Sequence, residues 1–170
     1  AVNSVEVGLP EAALIAHTRD LIERPLAQAT RERLAQALLD WLTAGWSALD
    51  LPAASRLRDL ATTLHPGTGP APVFGGPPLT PMAAAWANAG ISHLREIDDA
   101  HRDAMLHPGV VVLPPVLALA AAHGLTQRQV AQAVIAGYEI VLRLGESMGA
   151  GHAGRFHATA TVGSVGAAAA

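Results

Sequence analysis

Hydrophobic positions recur at helical spacing along most of the chain. From Thr30 onward, Leu34, Ala37, Leu38, Trp41 and Leu42 fall at i, i+3, i+4, i+7 and i+8, which predicts an amphipathic helix with one buried stripe. Ahead of it, Glu11 to Arg24 carries apolar residues at 12, 15, 16 and 22 and meets Pro25, a short helix with a proline stop. Asp50, Leu51 and Pro52 read as a cap and helix start for residues 52–64, with Leu57, Leu60, Ala61 and Leu64 on one face. Further along, "TQRQ" at 126–129 has the form of a capping box. It precedes Val130, Ala133, Val134, Gly137, Tyr138 and Val141 at helical spacing.

The pattern breaks at "HPGTGPAPVFGGPPL", where proline and glycine hold more than half the positions. Residues 65–79 are therefore expected to form a loop, with room for one short strand at Val73 and Phe74. Thr80 and Pro81 restart a helix expected to run, with a break permitted at Gly90, as far as His107, where Pro108 ends it. Pro114 and Pro115 are expected in the first turn of the next helix, which Gly124 closes. After a glycine-rich stretch, the final four alanines read as the beginning of a further helix. No internal repeat or linker divides the chain, so the expectation is one all-α unit over 1–170, completed elsewhere.

Composition narrows the function classes. Hydrophobic residues make up 51% and charged residues 15%, and the net charge of -3 offers a nucleic acid nothing to bind. There is no cysteine, so disulfides, thiolate nucleophiles and zinc ribbons are excluded. All 11 basic residues are arginine, which excludes a Schiff-base lysine within these residues. The apolar run at 110–122 is too short to span a bilayer and contains two prolines. The N-terminal residues lack the pattern of a secretory signal, so a cytoplasmic protein is expected.

Two segments concentrate chemistry. In "EIDDAHRDAMLH", residues 96–107, four acidic side chains and two histidines occupy twelve positions. Wound as a helix, this segment puts Glu96, Asp99, Asp103 and His107 on one stripe, with Leu94, Asp98, His101 and Met105 beside it. His107 would then stand at a helix C-terminus, where the macrodipole favours an imidazolium. The alternative is a solvated acidic face. The second segment, "RFHATAT", sets Arg155, His157, Thr159 and Thr161 among glycines, a set able to cradle a carboxylate. With no cysteine and no H-E-x-x-H, no metal is expected. His17, His65, His93 and His123 have no partners at a telling spacing and read as surface or core histidines.

Taken in order, "DDAHRDAMLHPGVVVLPPVLALAAAHG", "QAVIAGYEIVLRLG" and "FHATATVGSVGAAAA" resemble the MmgE/PrpD family, which includes 2-methylcitrate dehydratase and cis-aconitate decarboxylase. The resemblance covers roughly residues 30–170. It implies a helical first domain of which this chain is the N-terminal part, an α/β domain beyond it, a homodimer, no cofactor or metal, and small polycarboxylate substrates. The family's acidic position falls on Glu96, and its "DDT" falls on Asp98, Asp99 and Ala100, so the usual threonine is missing. Its histidine before proline is His107 and its second histidine is His157; its lysines would lie beyond Ala170.

The reading that follows is a cofactor-independent lyase, most simply a dehydratase of a 2-methylcitrate-like hydroxy acid. Its candidate catalytic residues are His107, His157, Asp99 and Glu96, with Asp99 orienting His107. Its candidate substrate-binding residues are Arg155, Arg102, His101, Asp98 and Thr159. Which histidine is acid and which is base stays open. So do decarboxylation, isomerisation or epimerisation on the same fold, and a non-catalytic binding or assembly protein.

Overall fold

The computed structural model describes residues 10–170; the reading of residues 1–9 lies outside it. Among the described residues are helices α1 (Pro10–Glu23), α2 (Gln28–Ser47), α3 (Pro52–Leu64), α4 (Pro81–His93), α5 (Gly109–His123), α6 (Gln127–Ala153) and α7 (Ala158–Ala169), with strands β1 (Thr68–Val73) and β2 (Gly76–Leu79) between α3 and α4. The fold is all-α, as the periodicity predicts. α5 is the central helix: α2, α4, α6, α7 and β1 all pack on it, and Val110, Val112, Leu113, Pro114, Val116 and Ala118 are buried along it. Each valine or leucine among them removed from water contributes about 1.5–3 kcal/mol.

Several sequence expectations hold in detail. α3 spans the expected 52–64 with Pro52 in its first turn, and Thr126 with Gln129 closes a reciprocal capping box on α6. Asp50, however, caps nothing. Leu51 is the N-cap, and the Asp50 carboxylate instead accepts hydrogen bonds from Arg95 at 2.6 and 2.9 Å. The Arg95 guanidinium holds the Asp50 carboxyl below its ordinary range.

The expected loop at 65–79 is an antiparallel hairpin, with Val73 opposite Gly76 and Leu79 facing both Thr68 and Ala71 across irregularities. What makes it a hairpin lies outside the segment. Asn88 of α4 accepts from the Phe74 N–H at 3.0 Å and donates to the Pro72 carbonyl at 2.9 Å, supplying bonds that proline-rich strands cannot make with each other. The Phe74 ring then packs against Trp41, centroids 4.8 Å apart, and the Trp41 indole N–H donates to buried Ser92 at 3.0 Å. These contacts fix the C-terminal turn of α4.

The largest correction concerns residues 94–108. α4 ends at His93, and the acidic segment is an irregular loop closed by an antiparallel bridge between His101 and Leu106. Glu96 and Met105 both adopt φ of 51°, a left-handed conformation that no α-helix accommodates. The supposed stripe of Glu96, Asp99, Asp103 and His107 therefore does not exist. The bridge is held against α6 by close approach: a Cβ on Gly145 would fall 2.6 Å from Leu106 Cδ2 and 2.8 Å from Ala104 Cβ.

α5 also begins earlier than expected, at Gly109, so Pro114 and Pro115 sit inside the helix. Without their N–H groups the carbonyls of Val110 and Val111 lose their usual helical donors, a loss that the burial of Val110, Val112, Leu113 and Val116 offsets. At the other end of the chain, the four alanines finish a helix that starts at Ala158. α6 changes direction at Gly149, whose φ of 63° and ψ of -176° only glycine adopts without strain.

Candidate active site

Loop 94–108 brings the end of α4, the start of α5 and the start of α7 to one place. In this irregular loop Asp98 and Asp99 point to different sides, with different consequences. Asp98 is directed inward, its side chain 1% exposed, between two imidazoles. His93 Nδ1 is 3.1 Å from both Asp98 oxygens, and His107 Nδ1 is 3.0 Å from Oδ2. The two contacts differ in quality. The His93 contact has hydrogen-bond alignment, whereas buried His107 Nδ1 is close to the carboxylate but forms no aligned bond.

The rings of His93 and His107 meet edge to face with centroids 4.9 Å apart, and His157 is 6.4 Å from His93. His157 is the N-cap of α7, and Thr159 in the first turn of that helix accepts from the His107 backbone N–H at 3.1 Å. That bond ties two segments fifty residues apart into one site. His93, His157 and Thr159 line a cleft of about 360 Å³ walled by Ala89, Leu94, Val110 and Val111.

Asp99 faces the other way. Its carboxylate accepts from the Gly109 N–H at 2.8 Å and from the Tyr138 hydroxyl at 2.7 Å, while its own N–H donates to Asp40. Burial is the main force pushing the Asp99 carboxyl above its ordinary range, partly opposed by the Tyr138 and Gly109 hydrogen bonds. Burial, and then the neighbouring Asp99 carboxylate, push the Tyr138 phenol upward. The expectation that Asp99 orients His107 is thus corrected: Asp99 caps α5 from a distance, and Asp98 stands beside His107.

The helix-end expectation for His107 is corrected with it, because His107 precedes α5 and has the positive end of that helix beside it. A larger cavity of about 620 Å³ lies on the Asp99 side, lined by Asp40, Asp99, His101 and Tyr138 and by both apolar and polar residues of α2 and α6, Arg33 and Glu139 among them. We place the candidate active site at the smaller cleft because His93 and His157 line it and His93 is in contact with Asp98 and His107, which stand outside its lining.

Of the remaining sequence candidates, Glu96 is exposed on its left-handed turn. His101 sits in the hairpin, accepting from the Ala104 N–H and 3.8 Å from Glu146. Arg102 and Arg155 are exposed. His93 is the residue that sequence reasoning missed. Its separation of five from Asp98 has no meaning on a helix, and no spacing signal marks it.

Three groups, His93, Asp98 and His107, each offer one ligand atom within 4.8 Å of the others, a convergence open to a divalent cation. Without one, His93 donates to both oxygens of the carboxylate that stands between the rings, while His107 Nδ1 is left with no hydrogen-bond partner. Chemically, a buried carboxylate behind imidazoles that face a cleft serves to accept and return protons, the carboxylate fixing tautomer and orientation.

Comparison with known proteins identifies the family. The family model of the MmgE/PrpD N-terminal domain matches residues 14–170. Cis-aconitate decarboxylase of Aspergillus terreus is 32% identical over 123 residues, which cover 69% of this chain and 25% of the relative. The cis-aconitate decarboxylase of strain NIH 2624 / FGSC A1156 gives the same figures. The match therefore spans about a quarter of the length of these curated relatives. No solved structure matches the chain. On the family match over nearly all the described residues, the chain belongs to the MmgE/PrpD family and carries its N-terminal domain.

Proposed function

We propose that the protein is a lyase acting on a small di- or tricarboxylate by proton transfer at a carbon next to a carboxylate group. The observation that carries this reading is the cleft in which His93 and His157 face each other with Asp98 buried behind His93 and His107. In dehydration of a 2-methylcitrate-like hydroxy acid, one group removes the C–H proton and a second protonates the departing hydroxyl, which leaves as water. His107 and His157 are the acid/base pair in this reading. Thr159 holds the backbone of the first against the helix that carries the second.

In this reading Arg155, two residues before His157, and Arg102 bind the substrate carboxylates. Both are exposed, so both are free to reach a substrate anion.

Decarboxylation of cis-aconitate is the second reading, favoured by the name of the curated relatives. It uses the same machinery in another order: carbon dioxide leaves, and an acid delivers a proton to the carbanion that remains. The protein is taken to act without a cofactor, as a cytoplasmic homodimer; a sedimentation profile showing a monomer at high concentration would remove the dimer. No described helix is long and apolar enough to cross a membrane.

The test is to incubate the purified full-length protein with 2-methylcitrate and cis-aconitate and follow products by NMR. Formation of the dehydrated product supports the first reading and itaconate-type release of carbon dioxide the second. Turnover of neither, with ligand binding unaffected by His107→Ala, sinks both.

A further inference from the structure

We propose that His93 is a positioning residue of this site, acting through Asp98 to hold His107 in place; the inference rests on the lyase reading above. The argument begins with the carboxylate. A side chain 1% exposed cannot keep its charge without donors, and Asp98 has His93 as its aligned donor, with both oxygens 3.1 Å from Nδ1. His93 itself is fixed as the last residue of α4. That helix is anchored one residue earlier by Ser92, which accepts from the Trp41 indole, and by Asn88, which grips the hairpin. The rigid end of α4 thus sets the Asp98 rotamer, and through it the position of Oδ2, 3.0 Å from His107 Nδ1.

His107 lies on the loop and has far less of its own to hold it: one backbone hydrogen bond to Thr159 and the edge of the His93 ring. Its buried Nδ1 makes no hydrogen bond and has the Asp98 carboxylate beside it, Oδ2 at 3.0 Å. The imidazole on the helix therefore positions the one on the loop, with the carboxylate as intermediary. A displacement of about 1 Å at an acid/base group costs about 10²-fold in rate, so losing the His93 N–H is expected to register in turnover far more than in substrate affinity.

The experiment compares His93→Phe with His93→Asn in the full-length protein. Phenylalanine keeps the ring and its edge contact with His107 but removes the donor, whereas asparagine places an amide N–H near the former Nδ1. The expected result is a fall of about 10²-fold in kcat with KM changed less than about threefold for His93→Phe, and recovery of most of that loss in His93→Asn. Wild-type turnover in His93→Phe overturns the proposal. An equal loss in both variants also overturns it, because the ring itself would then be doing the chemistry.

A measurement independent of turnover uses 15N-labelled histidine. Replacing Asp98 by asparagine is expected to shift the ring nitrogens of both His93 and His107, and movement of His107 alone contradicts the link. If the wild type turns over none of the carboxylates, the lyase reading fails while the NMR result still decides whether His93 and His107 share Asp98.

Discussion

The clearest perturbation of this structure separates the two neighbouring aspartates. Asp99 accepts one hydrogen bond from the first N–H of α5, at 2.8 Å, and one from the Tyr138 hydroxyl, at 2.7 Å. A helix-capping acceptor contributes about 1 kcal/mol, and a hydrogen bond to a charged acceptor about 1.5–3 kcal/mol. Asp99→Ala loses both but also relieves the burial of a carboxylate, so a net loss of about 2–3 kcal/mol is expected. Tyr138→Phe loses only the second, about 1.5 kcal/mol. Because the two share one bond, the double variant should be less destabilised than the sum by about 1.5 kcal/mol.

Urea unfolding of the full-length protein measures all three. With m of about 2 kcal/mol/M, the midpoint for Asp99→Ala should fall by about 1–1.5 M. Additive losses, or an Asp99→Ala midpoint within about 0.2 M of wild type, would refute the assignment of Asp99 as a remote helix cap.

Other outcomes follow from the same contacts. Because burial raises the folded-state pKa of Asp99 above its unfolded value, its contribution to stability is full below the unfolded carboxylate pKa of about 3.9 and is lost as pH rises through the folded value. Wild type should therefore lose stability relative to Asp99→Asn as pH rises through and just above the carboxylate range, and parallel pH profiles would contradict this. Gly145→Ala forces a Cβ to within 2.6 Å of Leu106, so it should cost about 1–3 kcal/mol by overpacking and reduce turnover by moving the hairpin that carries His107; unchanged thermal stability would refute the contact. Asn88→Ala leaves the Phe74 N–H and Pro72 carbonyl unpaired, a loss of about 2 kcal/mol measurable by denaturant melts.

The helices were legible where local physics decides them. Pro52 in the first turn set the start of α3, whose expected apolar face holds only in part, with Ala61 buried but Leu60 and Leu64 exposed, and the Thr126 and Gln129 pair set the start of α6. What escaped is non-local. The acidic segment has helical spacing by coincidence. The groups that shape it are His93 before it, Gly109 after it, and Asp40 and Tyr138 on other helices. Likewise, Gly- and Pro-rich residues 68–79 become a hairpin because Asn88 supplies the missing hydrogen bonds.

Of the candidate site, the family blocks brought His107 and His157 forward, and the structure sets each of them close to His93. The roles of Asp98 and Asp99 could not be told apart in sequence, because the side to which each points depends on a backbone that leaves the helix at His93.

The central claim is that a buried carboxylate between two imidazoles serves proton transfer on a carboxylate substrate. It is tested most directly by the kcat of Asp98→Asn beside that of Asp99→Asn on whichever of 2-methylcitrate or cis-aconitate the wild type consumes. The account predicts a fall of about 10²–10⁴-fold for Asp98→Asn, the scale seen when an imidazole loses its orienting carboxylate, and a change of less than about fivefold for Asp99→Asn. Wild-type turnover in Asp98→Asn, or equal losses in both variants, would contradict it.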